Sequence, residues 1–274
     1  MNATAAEKLL GYAILVSFAA IMVLPILGVV LLSLHAGDAQ LSGFELPHTV
    51  HFESYARAFH TAHFSTYLES SVIVSSAVVA GTVLVSVLSG YAFGTMRFPG
   101  DTFLFYLLLA GLIIPFEAII VPLYFDLRRL HLTNSYWSVI LPLIGTNSAF
   151  GTFWMRAYFR SVPRELLEAA AIDGAGTLRT LWKILLPAGR PAVLTLIVLV
   201  FMWSWNEFLL PLVMLSKDEL RTAPLGLAFF AGRYQTDRVG MAAAAVMVAI
   251  PVIVVFITLQ RSFVRGMLAG ALKE

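Results

Sequence analysis

The chain has 274 residues, 59% of them hydrophobic and only 12% charged, and a mean hydropathy of +0.85. A soluble domain carries about a quarter of its residues as charges, so this composition excludes an ordinary water-soluble fold and points to a bilayer. The net charge of +2 offers no basic footprint for nucleic acid, and the absence of cysteine removes disulfides and thiolate metal sites.

Crossing a hydrocarbon core takes about 20 residues of helix. Six apolar stretches reach that length, approximately Leu9–Leu34, Ser70–Phe93, Phe103–Phe125, Tyr136–Met155, Pro191–Leu215 and Val239–Leu259. The first follows Lys8 but is too long for the apolar region of a signal peptide and has no small-residue cleavage pattern after it, so a retained span is expected. Charges cluster between the stretches, as they must when a buried charge costs roughly 2.5 to 3.5 kcal/mol on insertion scales. An even number of spans puts both termini on one side. With cytoplasmic termini, Lys8, Arg97, Arg156, Arg160, Arg164, Arg179, Lys183, Arg190, Arg261, Arg265 and Lys273 fall inside, the larger share of the basic residues, which agrees with the positive-inside bias. His35, His48, His51, His60, His63 and His131 all fall in outward segments, and their spacing fits no metal-ligand motif.

A polar island from Arg156 to Arg190 separates the fourth and fifth stretches. Ser161 is suited to an N-cap and Pro163 to a first helical turn. A short helix is expected to about Ile172, a left-handed turn at Gly174, then a second helix capped by Thr177 and stopped at Pro187. On the first helix Leu166, Ala169, Ala170 and Asp173 share a face by their spacings of three and four, and small side chains there allow a partner surface to approach. A surface hairpin on anionic lipid would also use basic residues, but lipid contact requires neither a glycine at a fixed offset nor an alanine face.

The same island carries Glu168, Ala169 and Ala170, then Gly174, Ile184, Leu186 and Pro187, without a gap in the spacing. This pattern resembles the coupling loop of the membrane subunit of ATP-binding-cassette (ABC) importers. Further matches are GYAFGTMRFPG (Gly90 to Gly100), IIVPLYFDLRRLHLTNSYWSVILP (Ile119 to Pro142), WNEFLLPLVML (Trp205 to Leu215) and the closing LQRSFVRGMLAGALKE. Together they are similar to the smaller membrane subunit of carbohydrate importers of the maltose-transporter kind. Gly90 and Ser70 depart from that pattern, standing where Ala and Asn are usual.

The resemblance implies an all-α polytopic membrane protein of the type I importer permease fold, with about six transmembrane helices. It divides the chain into a first helix with its outward loop (1–69), a permease core (70–264) containing the coupling loop (156–190), and a cytoplasmic tail (265–274). It implies residence in a bacterial or archaeal cytoplasmic membrane and contact with membrane lipid. The implied partners are a second, different permease subunit, a dimer of ATPase subunits that hold the ATP and Mg, and an extracytoplasmic sugar-binding protein. Glu168, Ala169, Ala170, Asp173, Gly174 and Ala175 would then couple to the ATPase, while Arg265, Gly266, Gly270 and Lys273 would reach between its subunits. The chain itself would bind no cofactor and hydrolyse nothing, in keeping with a sequence that has no Gly, four residues, Gly-Lys-Ser/Thr phosphate loop.

Only Glu117 and Glu207 are acids within the stretches, each near a proline. Intramembrane ionisable groups face cavities or partners. Trp205, Asn206 and Glu207 combine a stacking surface with hydrogen-bonding groups, which a sugar pathway needs, although aromatic packing or an inter-helix clamp would use the same residues. The competing reading is an ion-coupled secondary carrier, which would ordinarily place several ionisable residues at midplane and show an internal repeat. Neither is visible in the sequence.

Overall fold

The structure, a computed structural model, describes residues 4–37, 45–61, 64–230 and 237–271, and within them not the side chains of residues 5, 61, 229 and 261–271. The described residues form helices joined by turns. They fall into two compact units, residues 1–65 with 226–250 and residues 66–225 with 251–274.

In the first unit, α1 (Ala5–Ser33) begins at a capping box: the Thr4 hydroxyl accepts from the Glu7 amide at 3.3 Å, and the Glu7 carboxylate accepts from the Thr4 amide at 2.7 Å. The helix is apolar around its whole circumference and none of its apolar window is buried, so it presents itself to lipid. Its end is tied to the amphipathic α2 (Glu53–Thr61) by a Ser33–Tyr55 hydroxyl pair at 2.6 Å, and Arg57 on α2 lies 3.6 Å from Asp237.

The second unit holds most of α3 (Phe64–Thr95) and then α4 (Asp101–Ala110), α5 (Phe116–Arg129) and α6 (Trp137–Ser161). The polar island follows as α7 (Arg164–Ile172), α8 (Thr177–Thr180), a π-helical turn at Leu181–Leu185 and α9 (Leu186–Ala188). After α10 (Arg190–Trp205) come α11 (Leu209–Met214), a 3₁₀ turn at Asp218–Leu220, α12 (Ala223–Gly226) and a 3₁₀ turn at Leu227–Phe230. The last helix, α13, runs from Arg238 to Ala271.

Three described helices are individually long and apolar enough to span: Ala6–Ser33, Phe64–Thr95 and Arg238–Gln260. The other three expected stretches differ for identifiable reasons. The third is divided into α4 and α5 by a non-helical segment that ends at Pro115, and the fifth ends as α10 at Trp205 and resumes as α11. The fourth is the unbroken α6, but it carries Ser138, Thr146, Asn147, Ser148 and Thr152 among its apolar residues. Such helices are tolerated at membrane depth where protein covers their polar groups, and Ser138, Ser148 and Thr152 are buried.

The core of this unit packs α3, α6 and α10 around Val74, Val78, Met155, Phe159, Leu196 and Val200. The α3–α6 contact is close because Gly90 and Gly94 lie four apart on α3. A Cβ at Gly90 would stand 2.6 Å from the Met155 Cβ and 3.0 Å from the Arg156 backbone nitrogen. In lipid no hydrophobic force joins helices, so this close van der Waals approach is itself a source of association. Ser89 and Thr152 add a hydroxyl pair at 2.6 Å across the same interface. Ser70, the departure noted in the sequence, is fully buried and pairs with the Tyr136 hydroxyl at 2.8 Å, so its smaller side chain still joins α3 to the start of α6. Asn134 sits at φ +56 in the turn before α6, and its side-chain oxygen accepts from the Ser216 amide at 2.6 Å, fastening that turn to the chain after α11. Asn is among the few residues that take this left-handed conformation readily.

Candidate functional site

The island folds as a helix, a glycine turn and a second helical arm, with local corrections at both caps and at the end of the arm, where Pro187 lies within α9 and the bend falls at Gly189. Pro163 occupies the cap position and Arg164 begins α7, while Gly176 rather than Thr177 occupies the cap of α8. Ser161 is the last residue of α6, its hydroxyl donating to the Tyr158 carbonyl at 2.8 Å.

Gly174 has φ +70. Its amide donates to the Ala171 carbonyl at 3.0 Å and the Ala175 amide to the Ala170 carbonyl at 2.9 Å, the paired bonds of a Schellman ending. Both carbonyls would otherwise be orphaned at the helix end. The left-handed residue reverses the chain, and the Thr180 hydroxyl, donating to Gly176 at 3.2 Å, steadies the return.

The arm that follows is bolted to the core. Leu181 and Leu185 are fully buried, and Leu167 on α7 packs against the same cluster. The Tyr158 hydroxyl on α6 donates to the Leu185 carbonyl at 2.7 Å, and the Trp154 indole to the Ala192 carbonyl at 2.9 Å. The arm meets α10 at an 80° bend. The loop is thereby joined to α6 and α10 through packed side chains and hydrogen bonds.

The structure does not keep the expected docking face together. Ala170 is 3% exposed and so turned into its own chain, away from the exposed side of α7. Leu166, Glu168, Ala169, Asp173 and Gly174 are exposed, and Ala175 is half-buried. Three apolar side chains escaped the sequence reading: Ile172 is 86% exposed, Leu178 65% and Trp182 52%. Their signal was available, since they are large apolar residues at outward positions of a polar segment, where nothing in the chain covers them.

The residues proposed for a substrate pathway also separate. Trp205 is 1% exposed and lies against Phe201 with ring centroids 5.4 Å apart, so it is a packing residue with no face for a sugar. Asn206 is exposed at the break between α10 and α11, its amide nitrogen donating to the Met202 carbonyl at 2.8 Å. Glu207 is half-buried and accepts from the Leu210 amide at 3.0 Å, restraining the start of α11. Glu117 is exposed in the first turn of α5. Arg265, Gly266 and Gly270 lie on the backbone of α13, which continues as helix beyond the expected end of the sixth span, and Lys273 lies outside the described residues. Among the described residues no group of three or more His, Cys, Asp or Glu could hold a metal.

Residues 83–269 match the family described as "Binding-protein-dependent transport system inner membrane component". The diacetylchitobiose uptake system permease protein NgcG of Streptomyces coelicolor is 32% identical over 267 residues, covering 96% of this chain and 88% of the relative. The arabinooligosaccharides transport system permease protein AraQ of Halalkalibacterium halodurans is 34% identical over 258 residues, covering 92% of each. Among solved structures, a bacterial ABC transporter involved in import of the acidic polysaccharide alginate matches with a TM-score of 0.81 at 26% identity, over 96% of this chain and 99% of that one. A chain of the alginate transporter bound to its alginate pentasaccharide-loaded periplasmic protein shares the fold at a TM-score of 0.68 and 15% identity, over 93% of each. The chain thus belongs to the inner membrane components of binding-protein-dependent transport systems: it is a membrane permease of an ABC importer, and neither an enzyme nor an ion-coupled carrier.

Proposed function

We propose that this permease forms half of the translocation pathway of an ATP-driven carbohydrate importer. The other half is a different permease subunit, the ATP and Mg are held by an ATPase dimer, and the sugar is delivered by an extracytoplasmic binding protein. The observation that carries the coupling role is the Schellman-closed loop, which exposes Ile172, Leu178 and Trp182 on an arm anchored in the core by Leu181 and Leu185. A loop that faced only water would bury such side chains, whereas a loop seated in the groove of an ATPase would leave them outward in the isolated chain, and the glycine turn beside them sets a fixed angle that contact with lipid does not require. Glu168, Ala169, Asp173 and Gly174 would sit within that contact and Ala170 behind it. Relatives named for diacetylchitobiose and arabinooligosaccharides support an oligosaccharide cargo. In the reconstituted complex, uptake of labelled oligosaccharide should require ATP inside the vesicle and loaded binding protein outside. Uptake driven by an ion gradient without ATP would refute this.

Placing the loop on the cytoplasmic side also puts the 3₁₀ turn at Asp218–Leu220 outside. The chain has no cysteine, so single replacements carry no background. Gly176 is exposed and an added Cβ there meets nothing within 4 Å. In intact cells a membrane-impermeant thiol reagent should therefore label an Asp218→Cys variant and spare a Gly176→Cys variant, which becomes reactive once the membrane is opened. The opposite pattern would invert the topology.

A further inference from the structure

A cavity of about 690 Å³ opens where the last turns of α3 and α6 meet the start of α7. Arg97, Arg160 and Arg164 line it, together with Asp101, Glu168 and Phe159. Among the described residues the ion pairs are Arg57–Asp237, Arg129–Asp126 and Arg221–Asp218, so none of the three cavity arginines has a carboxylate within 4.0 Å. One oxygen of Asp101 is already committed, accepting from the amide and hydroxyl of Thr102 at the start of α4. Three guanidinium groups against the carboxylates of Asp101 and Glu168 leave the cavity with an excess positive charge, which a bound anion balances. Guanidinium is also the side chain whose fork best matches phosphate oxygens.

The cavity stands at the level of the helix ends, where a bilayer carries its headgroups. Directly beside it, α4 rises from Asp101 with Phe103, Tyr106 and Leu107 exposed, an aromatic and aliphatic flank for acyl chains. The neighbouring Arg156 is not available as a fourth ligand, since its Nε donates to the Phe93 carbonyl at 3.2 Å and its guanidinium lies 3.7 Å from the Phe105 ring centre. A basic pocket between helix ends, open to an apolar flank, fits a lipid phosphate better than a soluble anion, because only the lipid also covers Phe103 and Tyr106.

We infer that Arg97, Arg160 and Arg164 bind the headgroup phosphate of an anionic phospholipid, wedged between the ends of the α3–α6 pair and the start of the coupling helix. The bound lipid would cross-brace the start of α7 to the ends of α3 and α6. Arg97 precedes the coupling loop and Arg160 and Arg164 stand at its start, while Glu168, of the proposed ATPase contact, lines the same cavity.

The purified complete complex, exchanged into phosphatidylcholine and given phosphatidylglycerol, should retain phosphatidylglycerol in native mass spectrometry. An Arg97→Gln/Arg160→Gln complex should lose one tightly held phosphatidylglycerol, with occupancy down by roughly tenfold or more for two basic contacts. Arg179→Gln, which removes a basic residue of the same island outside the cavity, should retain it. Should the double variant fail to assemble, Arg160→Gln alone should lower occupancy by roughly fivefold. Inorganic phosphate at millimolar concentration should not displace the lipid. Retention equal to wild type in the arginine variants would overturn the site, and displacement by inorganic phosphate would make it a soluble-anion site. If the variants shed the ATPase while holding the lipid, the arginines form a protein contact and the inference fails. None of these outcomes alters the expected ATP requirement for uptake.

Discussion

A Gly174→Val permease should insert and assemble its membrane helices, yet its ATP-driven uptake should fall by roughly fivefold or more. Position 174 holds φ +70, where a branched side chain meets the carbonyl that follows and the strain is about 1 to 3 kcal/mol. No neighbouring side chain interferes, since a Cβ there meets nothing within 4 Å, so the penalty is purely conformational. The chain would escape it by abandoning the left-handed turn. That dissolves the two closing bonds to Ala170 and Ala171 and releases α7 from its angle to the arm. At about 1.4 kcal/mol per factor of ten, a strain of 1 to 3 kcal/mol depopulates the docking geometry by roughly five- to a hundredfold. Gly174→Asn is the discriminating control, because Asn enters this backbone region at little cost and should keep most of the uptake. The measurement is sugar uptake normalised to membrane abundance, alongside ATP hydrolysis with and without the loaded binding protein. Wild-type uptake in a well-expressed Gly174→Val complex, or equal damage from Asn, would show that the turn is not what positions the loop.

That turn was legible in the sequence because a glycine between two short helical patterns leaves few alternatives. The ends of α7 were legible for a related reason: Pro163 and Gly174 restrict the backbone locally, whatever surrounds them. Orientation of the face was not. Spacing placed Ala169 and Ala170 together, but which of them turns inward depends on where the arm after Gly176 returns, and that is set by Leu181 and Leu185 seating in a core assembled from α3, α6 and α10. Trp205 went the same way. Next to Asn206 and Glu207 it reads as part of a polar constellation, yet the helix break that frees Asn206 falls one residue later and leaves the indole inside. The cavity between Arg97, Arg160 and Arg164 was hidden for a simpler reason. Arg97 and Arg160 are separated by two apolar stretches, and only the α3–α6 contact brings them to one place.

Gly90→Val should have the larger effect on assembly, and it tests that contact directly. The sequence marks Gly90 only as a replacement for a more usual Ala, while the structure shows why glycine suits this chain. An added Cβ would lie 2.6 Å from the Met155 Cβ, 3.0 Å from the Arg156 nitrogen and 3.1 Å from the Met155 carbonyl carbon. Two of these neighbours are backbone atoms in the middle of α6, so no rotamer change relieves the clash and the helices must separate. Overpacking of this kind costs about 1 to 3 kcal/mol, and in lipid it also removes the close approach on which the pair depends. The Ser89–Thr152 hydroxyl pair one turn away would open with it, depriving the buried Thr152 hydroxyl of its partner while Ser89 keeps its bond to the Val85 carbonyl. Mature subunit in the membrane should fall several-fold, the purified complex should melt at a lower temperature, and Gly90→Ala should show the same changes to a smaller degree. Met155→Ala should not rescue Gly90→Val, because shortening the Met155 side chain leaves its Cβ and the α6 backbone in place. Rescue by that second change would mean that side-chain crowding, and not backbone proximity, sets the distance between α3 and α6. Wild-type abundance and melting in Gly90→Val alone would mean that the two helices are not held at this separation at all.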